Sequence, residues 1–338
     1  MSEHDPMLPA RDDEVIVATY NVEALFDTEK ATGTLDHEYL PTGHYAWTEE
    51  KLAKKIANLA RVIRSINSGR GPDLLALNEV ENRGIVTRLR DEGLADLGYS
   101  TIVHFETECM YGLDNALLSR FSTIGTPALH SVNLPGTDAS KRARGILEAT
   151  FDVHGVALTV FVNHWPAGGG TTVSKRRYIA RQLRGHIERR LAETPDAEIM
   201  VLGDFNATTD EDAFGDKGLR ASSDADAVVA GGSAVYDTRD GSHPEQATHF
   251  TRPYPYTGPT GEWRALDHVF VSRGLLDQRG LSWVAGSTRT HRPDFLLDDD
   301  GAPRAFFERG VSPRQQDLDR TGFSDHLPVV TRLRRHAE

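Results

Sequence analysis

Ten polar side chains in this sequence stand at the ends of short apolar runs: Asn21, Glu23, Glu79, Asn163, His164, Asp204, Asn206, Asp267, Asp325 and His326. Acids and amides are oxygen donors, which suit Mg²⁺, Mn²⁺ or Ca²⁺. Carboxylates crowded together without a cation repel one another. Two histidines in such company are candidates for the proton donor and acceptor at neutral pH. Oxygen ligands with an acid–base pair are what metal-assisted hydrolysis of a phosphate ester requires. A zinc-protease reading lacks its His-Glu-x-x-His helix.

The runs that deliver these groups read as strands. Ile199-Met200-Val201-Leu202 is a buried strand broken by Gly203, and Asp204 and Asn206 follow it. In extended chain, alternate residues point the same way, so these two aim at one spot past the strand end. Polar groups buried unpaired cost roughly 2–7 kcal/mol, so they are either paired or at work. An Asx-turn leaving the strand is the alternative. Runs 15–20, 74–77 and 156–162 repeat the pattern, ending at Asn21 and Glu23, at Glu79, and at Asn163-His164. Asp267 opens a strand over 266–272, and Asp325-His326 precede a last strand.

The remaining chain supplies cover and connections. Thr48 reads as an N-cap with Glu49 and Glu50 in the first turn, and Leu52, Ile56, Leu59, Ile63 and Ile66 mark one helix face. Gly69 is the expected stop, and this helix is assigned packing only. Residues 83–97 read as helical. Residues 172–193 read as a helix whose buried stripe is Ile179, Leu183, Ile187 and Leu191. Of its basic face, Arg177 and Arg181 are the expected exceptions to simple solvation. Residues 116–119 and 146–151 read as strands, 121–140 as turns and 207–245 as long loops. Lys141, Arg142 and Arg144 enter the strand at 146, either as a solvated edge or with an Arg clamping a phosphate. The run Gly168-Gly169-Gly170 lacks the Lys-Ser/Thr ending of a P-loop. Residues 286–320 form an irregular insertion, and loops that long tend to be functional or disordered. Many strands with two long helices imply packed sheets covered by helices.

Composition sets outer bounds. A chain of 338 residues holds about two ordinary domains or one large sandwich, and 38% apolar content supplies a sizeable core. A single cysteine, Cys109, excludes an intrachain disulfide framework and a Cys-rich zinc site. Residues 1–13 read as a mobile tail without a signal-peptide pattern, which leads us to expect a cytoplasmic protein. No apolar run approaches the roughly 20 residues of a membrane span. A net charge of −12 argues against high-affinity duplex binding through the backbone, but not against a phosphate held by a metal.

Read together and in order, Tyr20-Asn21-Val22-Glu23, Asn78-Glu79-Val80, Asn163-His164, Gly203-Asp204-Phe205-Asn206, Leu266-Asp267-His268-Val269-Phe270 and Ser324-Asp325-His326-Leu327-Pro328-Val329 resemble the endonuclease/exonuclease/phosphatase superfamily. Each motif alone is weak; the series in order is specific. The wording after Asn21 and around Asn163 resembles a bacterial branch. The resemblance covers roughly residues 15–332. It implies a DNase I-like α/β fold: a four-layer sandwich of two mixed sheets flanked by helices, with the site at one end. It makes a single domain over 14–335, active as a monomer on a phosphate-ester substrate, the expectation.

Roles carry over from that resemblance. Glu79 resembles the principal metal ligand, with Asn21 and Glu23 beside it and Asp325 as a further metal-side acid, for Mg²⁺ or else Mn²⁺ or Ca²⁺. His326 resembles the histidine at the scissile phosphate, oriented by Asp267. Asp204 and Asn206 would position the attacking water and a phosphate oxygen. His164 resembles a second histidine, acid or phosphate donor. Asn163, Arg144 and Arg177 are the expected phosphate contacts. The implied reaction is a nuclease-type phosphodiester cleavage of DNA or RNA, with small phosphorylated molecules or lipid head groups as the alternative substrates and a silent binding protein as a remote third. Two features depart from the pattern: the insertion at 286–320, whose loop is expected to set specificity, and the acidic charge.

Overall fold

Alternation along β1 (Glu14–Leu25) sets the layering. Val15 and Val17 face one buried cluster, and Ile16, Ala18, Tyr20 and Val22 face another. A strand apolar on both faces has to be covered twice. In this computed structural model β1 joins β2 (Leu74–Val80), β3 (Thr101–His104) and β4 (Asp114–Ser119) in a first sheet. The next six strands belong to a second sheet: β5 (Thr123–Val132), β6 (Ala143–Val153), β7 (Val156–His164), β8 (Glu198–Asp204), β9 (Ala221–Ser222) and β10 (Val235–Asp237). A ribbon of β11 (His249–Thr251) and β12 (Glu262–Arg264) follows. Then β13 (Asp267–Val271) returns to the second sheet. The strands β14 (Leu281–Trp283), β15 (Arg289–Thr290) and β16 (Val329–Arg335) complete the first.

The first sheet runs β14-β16-β1-β2-β4-β3 with β15 on β16, and the second β5-β6-β7-β8-β13-β10-β9. Central pairs β1·β2 and β7·β8 are parallel, while β13 and β16 run against their neighbours. C-terminal ends of β1, β2, β7 and β8 therefore share an edge of the sandwich with the starts of β13 and β16.

Three apolar clusters separate four layers, as expected. One lies between the sheets, built from Val17, Ala76, Val160, Leu202, Val269 and Leu333 among others. A second seals the first sheet under α1 (Glu49–Ser65) and α2 (Arg83–Arg88). A third seals the second sheet under α3 (Thr171–Glu193). Thr48 caps α1, its side chain accepting from Lys51 N, and the whole expected face of that helix is buried. On the far side, Arg190 of α3 ties down Glu148 of β6, which also bonds His130 of β5 at 2.5 Å.

The structure describes residues 10–336 except 32–33, 35, 108–111, 136–142, 232–234, 240–243, 253–259 and 309. Most of the expected tail, Cys109, Lys141 and Arg142 fall outside those residues. Among the described ones, no helix is long and apolar enough to cross a membrane. Four local expectations are corrected. Residues 123–132 form edge strand β5 instead of turns. The chain leaves α1 at Ile66, which is extended, before reaching Gly69. Residues 207–245 hold β9, β10 and the short α4 (Ala225–Gly231). Finally, β8 passes through Gly203 without breaking. Gly203 has φ +131°, and a Cβ there would stand 2.0 Å from Asn163 O on β7, so only glycine lets β7 and β8 close together.

The insertion is packed. Leu296 and Phe306 belong to the outer cluster of the first sheet, and Lys51 Nζ bonds Pro313 O at 2.6 Å. His291 within it bonds Ser65 Oγ at 2.7 Å; burial, with Arg289 adding to it, lowers its pKa to about 4. A histidine kept neutral in the fold but charged when unfolded stabilises fully above its unfolded pKa. That contribution is lost as pH falls from about 6.5 toward 4. His291→Gln keeps an amide for Ser65. We expect it to flatten the fall of stability across that window by up to one proton, about 1.4 kcal/mol per pH unit. Denaturant midpoints at pH 7, 6, 5 and 4 check this, and parallel curves for the two proteins would refute it.

Candidate active site

The inter-sheet cluster turns polar at one edge of the sandwich. On β1, the inward series Val15, Val17, Thr19 continues to Asn21; on β7, Leu158, Val160, Val162 continues to His164; on β8, Met200 and Leu202 continue to Asp204. Asp267 continues the inward series of β13 beyond Val269 and lies opposite Asp204 in register. Each side chain is thus aimed by strand parity.

Glu79 is the exception, because Leu75 and Leu77 on its parity face outward. A bulge between Asn78 and Val80, with Glu79 at φ +67°, turns its carboxylate inward. There Oε1 accepts Asn21 Nδ2 at 3.1 Å and Oε2 accepts Ala24 N at 2.9 Å. Glu23 and Ala24 also have positive φ, at +54° and +55°. Backbone strain of this kind persists only where surroundings enforce it.

Asp204 is the hub. Its Oδ2 accepts Asn21 Nδ2 at 3.0 Å and Asn206 Nδ2 at 3.1 Å, and its Oδ1 accepts Asn206 N at 2.8 Å. That last bond is the Asx-turn that the sequence left open, and it lies inside the cluster. His164 Nε2 stands 3.6 Å from Asp204 Oδ2 and 3.7 Å from Glu79 Oε1; His326 Nε2 stands 3.8 Å from Asp204 Oδ2. His326 Nδ1 bonds Asp267 Oδ2 at 2.8 Å, with both side chains buried.

Electrostatics divide the two histidines. Burial alone would lower His326, but the charges of Asp267 and Asp204 override it and hold the imidazole well above its usual value. His164 is pushed well below by burial, then by Arg144 and His326. Environments that push two like groups apart mark a donor and a neutral partner. Burial would raise Asp267, yet His326 keeps it low. Asp204 is pushed up to about 7 by burial and by Asp267, against the pull of His326. Glu23 also rises to about 7, through burial and the charges of Asp325 and Glu79.

That excess of mutually repelling acid is the structural case for a cation. Asp204, Asp267 and His326 offer ligand atoms within 4.8 Å of one another, and so do His249, Asp325 and His326. Of these donors, the carboxylate oxygens of Asp204, Asp267 and Asp325 fit a hard divalent ion, while His249 and His326 offer imidazole nitrogen.

Not every expected residue arrives. Asn163 has the opposite parity to His164. Its amide bonds Phe161 O, and its Oδ1 accepts Trp165 Nε1 at 3.2 Å, so it faces the α3 layer and not a phosphate. Arg177 lies half-exposed on α3, with Nη1 3.4 Å from Asp212 Oδ2, outside the cluster described above. The buried arginine of that helix is Arg176, bonded to Glu211 and to the carbonyls of Pro166 and Gly168. Arg144 does reach the cluster, with Nη1 3.4 Å from His164 Nε2. Asp325 lies at the mouth, 45% exposed, 3.8 Å from His249.

Four contributors escaped the sequence reading. Asn78 accepts Asp204 N at 3.1 Å and donates to Asn115 Oδ1 and Asn163 O, joining the two sheets under the site. It continues the inward series Leu74, Ala76, so parity would have found it. Asn115 likewise follows from Leu117. His249, 4.7 Å from His326 between ring centres, comes from the short ribbon and has no sequence signature. Lys55 of α1 reaches Glu23 from behind.

The fold recurs in solved structures. TDP2 from C. elegans aligns at TM-score 0.55 with 15% identity, over 95% of this chain and 75% of that one. An endonuclease/exonuclease/phosphatase from Beutenbergia cavernae aligns at 0.54 with 20% identity, over 96% and 72%. Beta toxin from Staphylococcus aureus aligns at 0.56 with 15% identity, over 94% and 99%. No curated protein matches by sequence. The model of the Endonuclease/Exonuclease/phosphatase family matches residues 16–335, a span holding every strand-end group described above. The chain therefore belongs to the endonuclease/exonuclease/phosphatase family and is a metal-dependent phosphoesterase on its DNase I-like fold.

Proposed function

We propose that the chain hydrolyses phosphodiester bonds of DNA or RNA, with Mg²⁺ as its ion and Mn²⁺ or Ca²⁺ as the other cations its ligands suit. The observation that carries the hydrolytic part of this reading is the Asp267–His326 pair, closed at 2.8 Å with His326 Nε2 3.8 Å from Asp204. Glu79, Asn21, Glu23 and Asp325 would hold the ion, which would supply positive charge against the phosphate and Lewis acidity toward water. His326, kept cationic by its two carboxylates, donates to a non-bridging phosphate oxygen as charge develops there. Asp204, with a carboxyl poised near neutrality, takes the proton of the attacking water, and Asn206 fixes its orientation. A bond forms from water oxygen to phosphorus as the bond to the leaving oxygen breaks, and that oxygen takes up a proton from solvent. Neutral His164 and Arg144 contact the phosphate on the opposite side.

A second reading has its own support. A net charge of −12 repels long polyanions and favours a small phosphorylated molecule or lipid head group. A substrate panel with Mg²⁺ and with Mn²⁺ separates them: plasmid, single strand, nucleotides, inositol phosphates and lysophospholipids. Cleavage of plasmid or single strand is expected. Turnover confined to the small molecules would replace the first reading with the second, and inertness toward all would reject both.

A further inference from the structure

We propose that Lys55 of α1 is a positioning residue that holds the metal-facing acids in place, an inference that rests on the metal-dependent reading above. Lysine almost never sits fully buried unless paired, yet the Lys55 side chain is 1% exposed. Its Nζ donates to Phe323 O at 2.9 Å, stands 3.7 Å from Glu23 Oε2 and lies 4.9 Å from the centre of the Phe306 ring.

Those partners come from different parts of the chain. Glu23 lies near the end of β1, Phe306 belongs to the insertion, and Phe323 directly precedes Ser324, Asp325 and His326. Phe306 N donates to the same Glu23 oxygen at 2.8 Å, so a hydrogen bond and the ammonium charge hold that carboxylate from behind. Ser324 Oγ donates to Asn21 O at 2.7 Å, joining β1 and the Asp325–His326 segment a second time. One ammonium thus braces both acid-bearing segments against α1. Bracing is required because Glu23 and Ala24 hold strained positive φ values. Lys51, one turn earlier, does the same for the outer loops, with Nζ 2.6 Å from both Tyr45 O and Pro313 O.

The alternative is that Lys55 only offsets negative charge, and the two roles predict opposite signs. If it is merely a counter-charge, its removal leaves the acids more negative and tightens binding of a divalent ion. If it positions, its removal lets Glu23 and Asp325 drift and weakens binding. The test is calorimetric titration of the metal-free, full chain with Mn²⁺, in wild type, Lys55→Met and Lys55→Arg, with melting temperatures alongside. Lys55→Met is expected to raise the Mn²⁺ Kd by about 10–100-fold, the usual cost of losing a group that orients metal ligands. Lys55→Arg keeps the charge but displaces it, so it should weaken binding in the same direction. Tighter or unchanged Mn²⁺ binding in Lys55→Met overturns the inference. Should Lys55→Met fail to fold, a Lys55→Arg protein that binds Mn²⁺ as wild type does overturns it equally. A wild type that binds no Mn²⁺ instead overturns the metal reading itself.

Discussion

His326→Ala is expected to lower kcat by roughly 10²–10³-fold or more, the cost of losing a donor aimed at developing charge. Asp267→Asn should cost somewhat less, because the ring remains while the charge that holds it cationic is gone. His326 lies in a buried position that by itself disfavours the imidazolium, and Asp267 is the largest opposing influence. Without it the ring becomes a weaker donor. The double variant should be scarcely slower than His326→Ala alone, because paired residues lose function as one unit. If Asp267 were only a strand-end group, its loss would cost stability and multiply independently with the His326 loss. A double-mutant cycle on kcat, with melting temperatures, decides: fully multiplicative rate losses reject the pairing.

Chelation is expected to abolish turnover, and Mg²⁺ or Mn²⁺ to restore it. The ion contributes several kcal/mol of charge stabilisation, and each 1.4 kcal/mol is about tenfold in rate. Glu79→Gln should raise the Mg²⁺ concentration for half-maximal rate by at least roughly 10–100-fold, the cost of losing even a supporting group. The geometry adds a structural penalty. Both Glu79 oxygens accept hydrogen bonds, from Asn21 and Ala24, so an amide has to turn its NH₂ toward one donor. We therefore expect a stability loss of about 1–3 kcal/mol alongside the change in metal demand. Full activity in chelator would sink the metal mechanism, and an unaltered Mg²⁺ requirement in Glu79→Gln would remove Glu79 from it.

Period-two patterning made most of the site legible. Asn21, His164, Asp204 and Asp267 all sit on the parity that points between the sheets. The same rule, applied strictly, would have turned Asn163 away and brought Asn78 in. It fails at Glu79, where a bulge reverses parity and local spacing cannot announce a bulge. On α3, Arg176 precedes Ala180, Leu183 and Ile187 by four, seven and eleven residues, so the helical period placed it on the buried stripe and Arg177 off it. Strand β5 was hidden because it is an edge strand. Gly125 and Pro127 look like turn residues, and the pairing with β6 skips from Ile124 to Ala128. Proline is tolerated at such an irregular edge. Lys55 was hidden because a lysine beside an apolar helix stripe reads as solvated, and its partners lie far away in sequence.

The division of the site between two sheets governs when the enzyme can first act. His164, Asp204 and Asp267 belong to one sheet; Asn21 and Glu79 belong to the other, and His326 leads into β16 at its heart. During synthesis β1 is made long before its neighbour β16, at Val329–Arg335. A growing polypeptide thus carries Glu23, Glu79, Asp204 and Asp267 before it has the imidazole of His326 and the strand that seat them. Hydrolytic competence arrives in one step, when the sheets dock, and not by degrees. Recovery of turnover after dilution from denaturant should then follow the slowest tertiary phase and never the faster gain of helix, making the enzyme its own reporter of a finished fold.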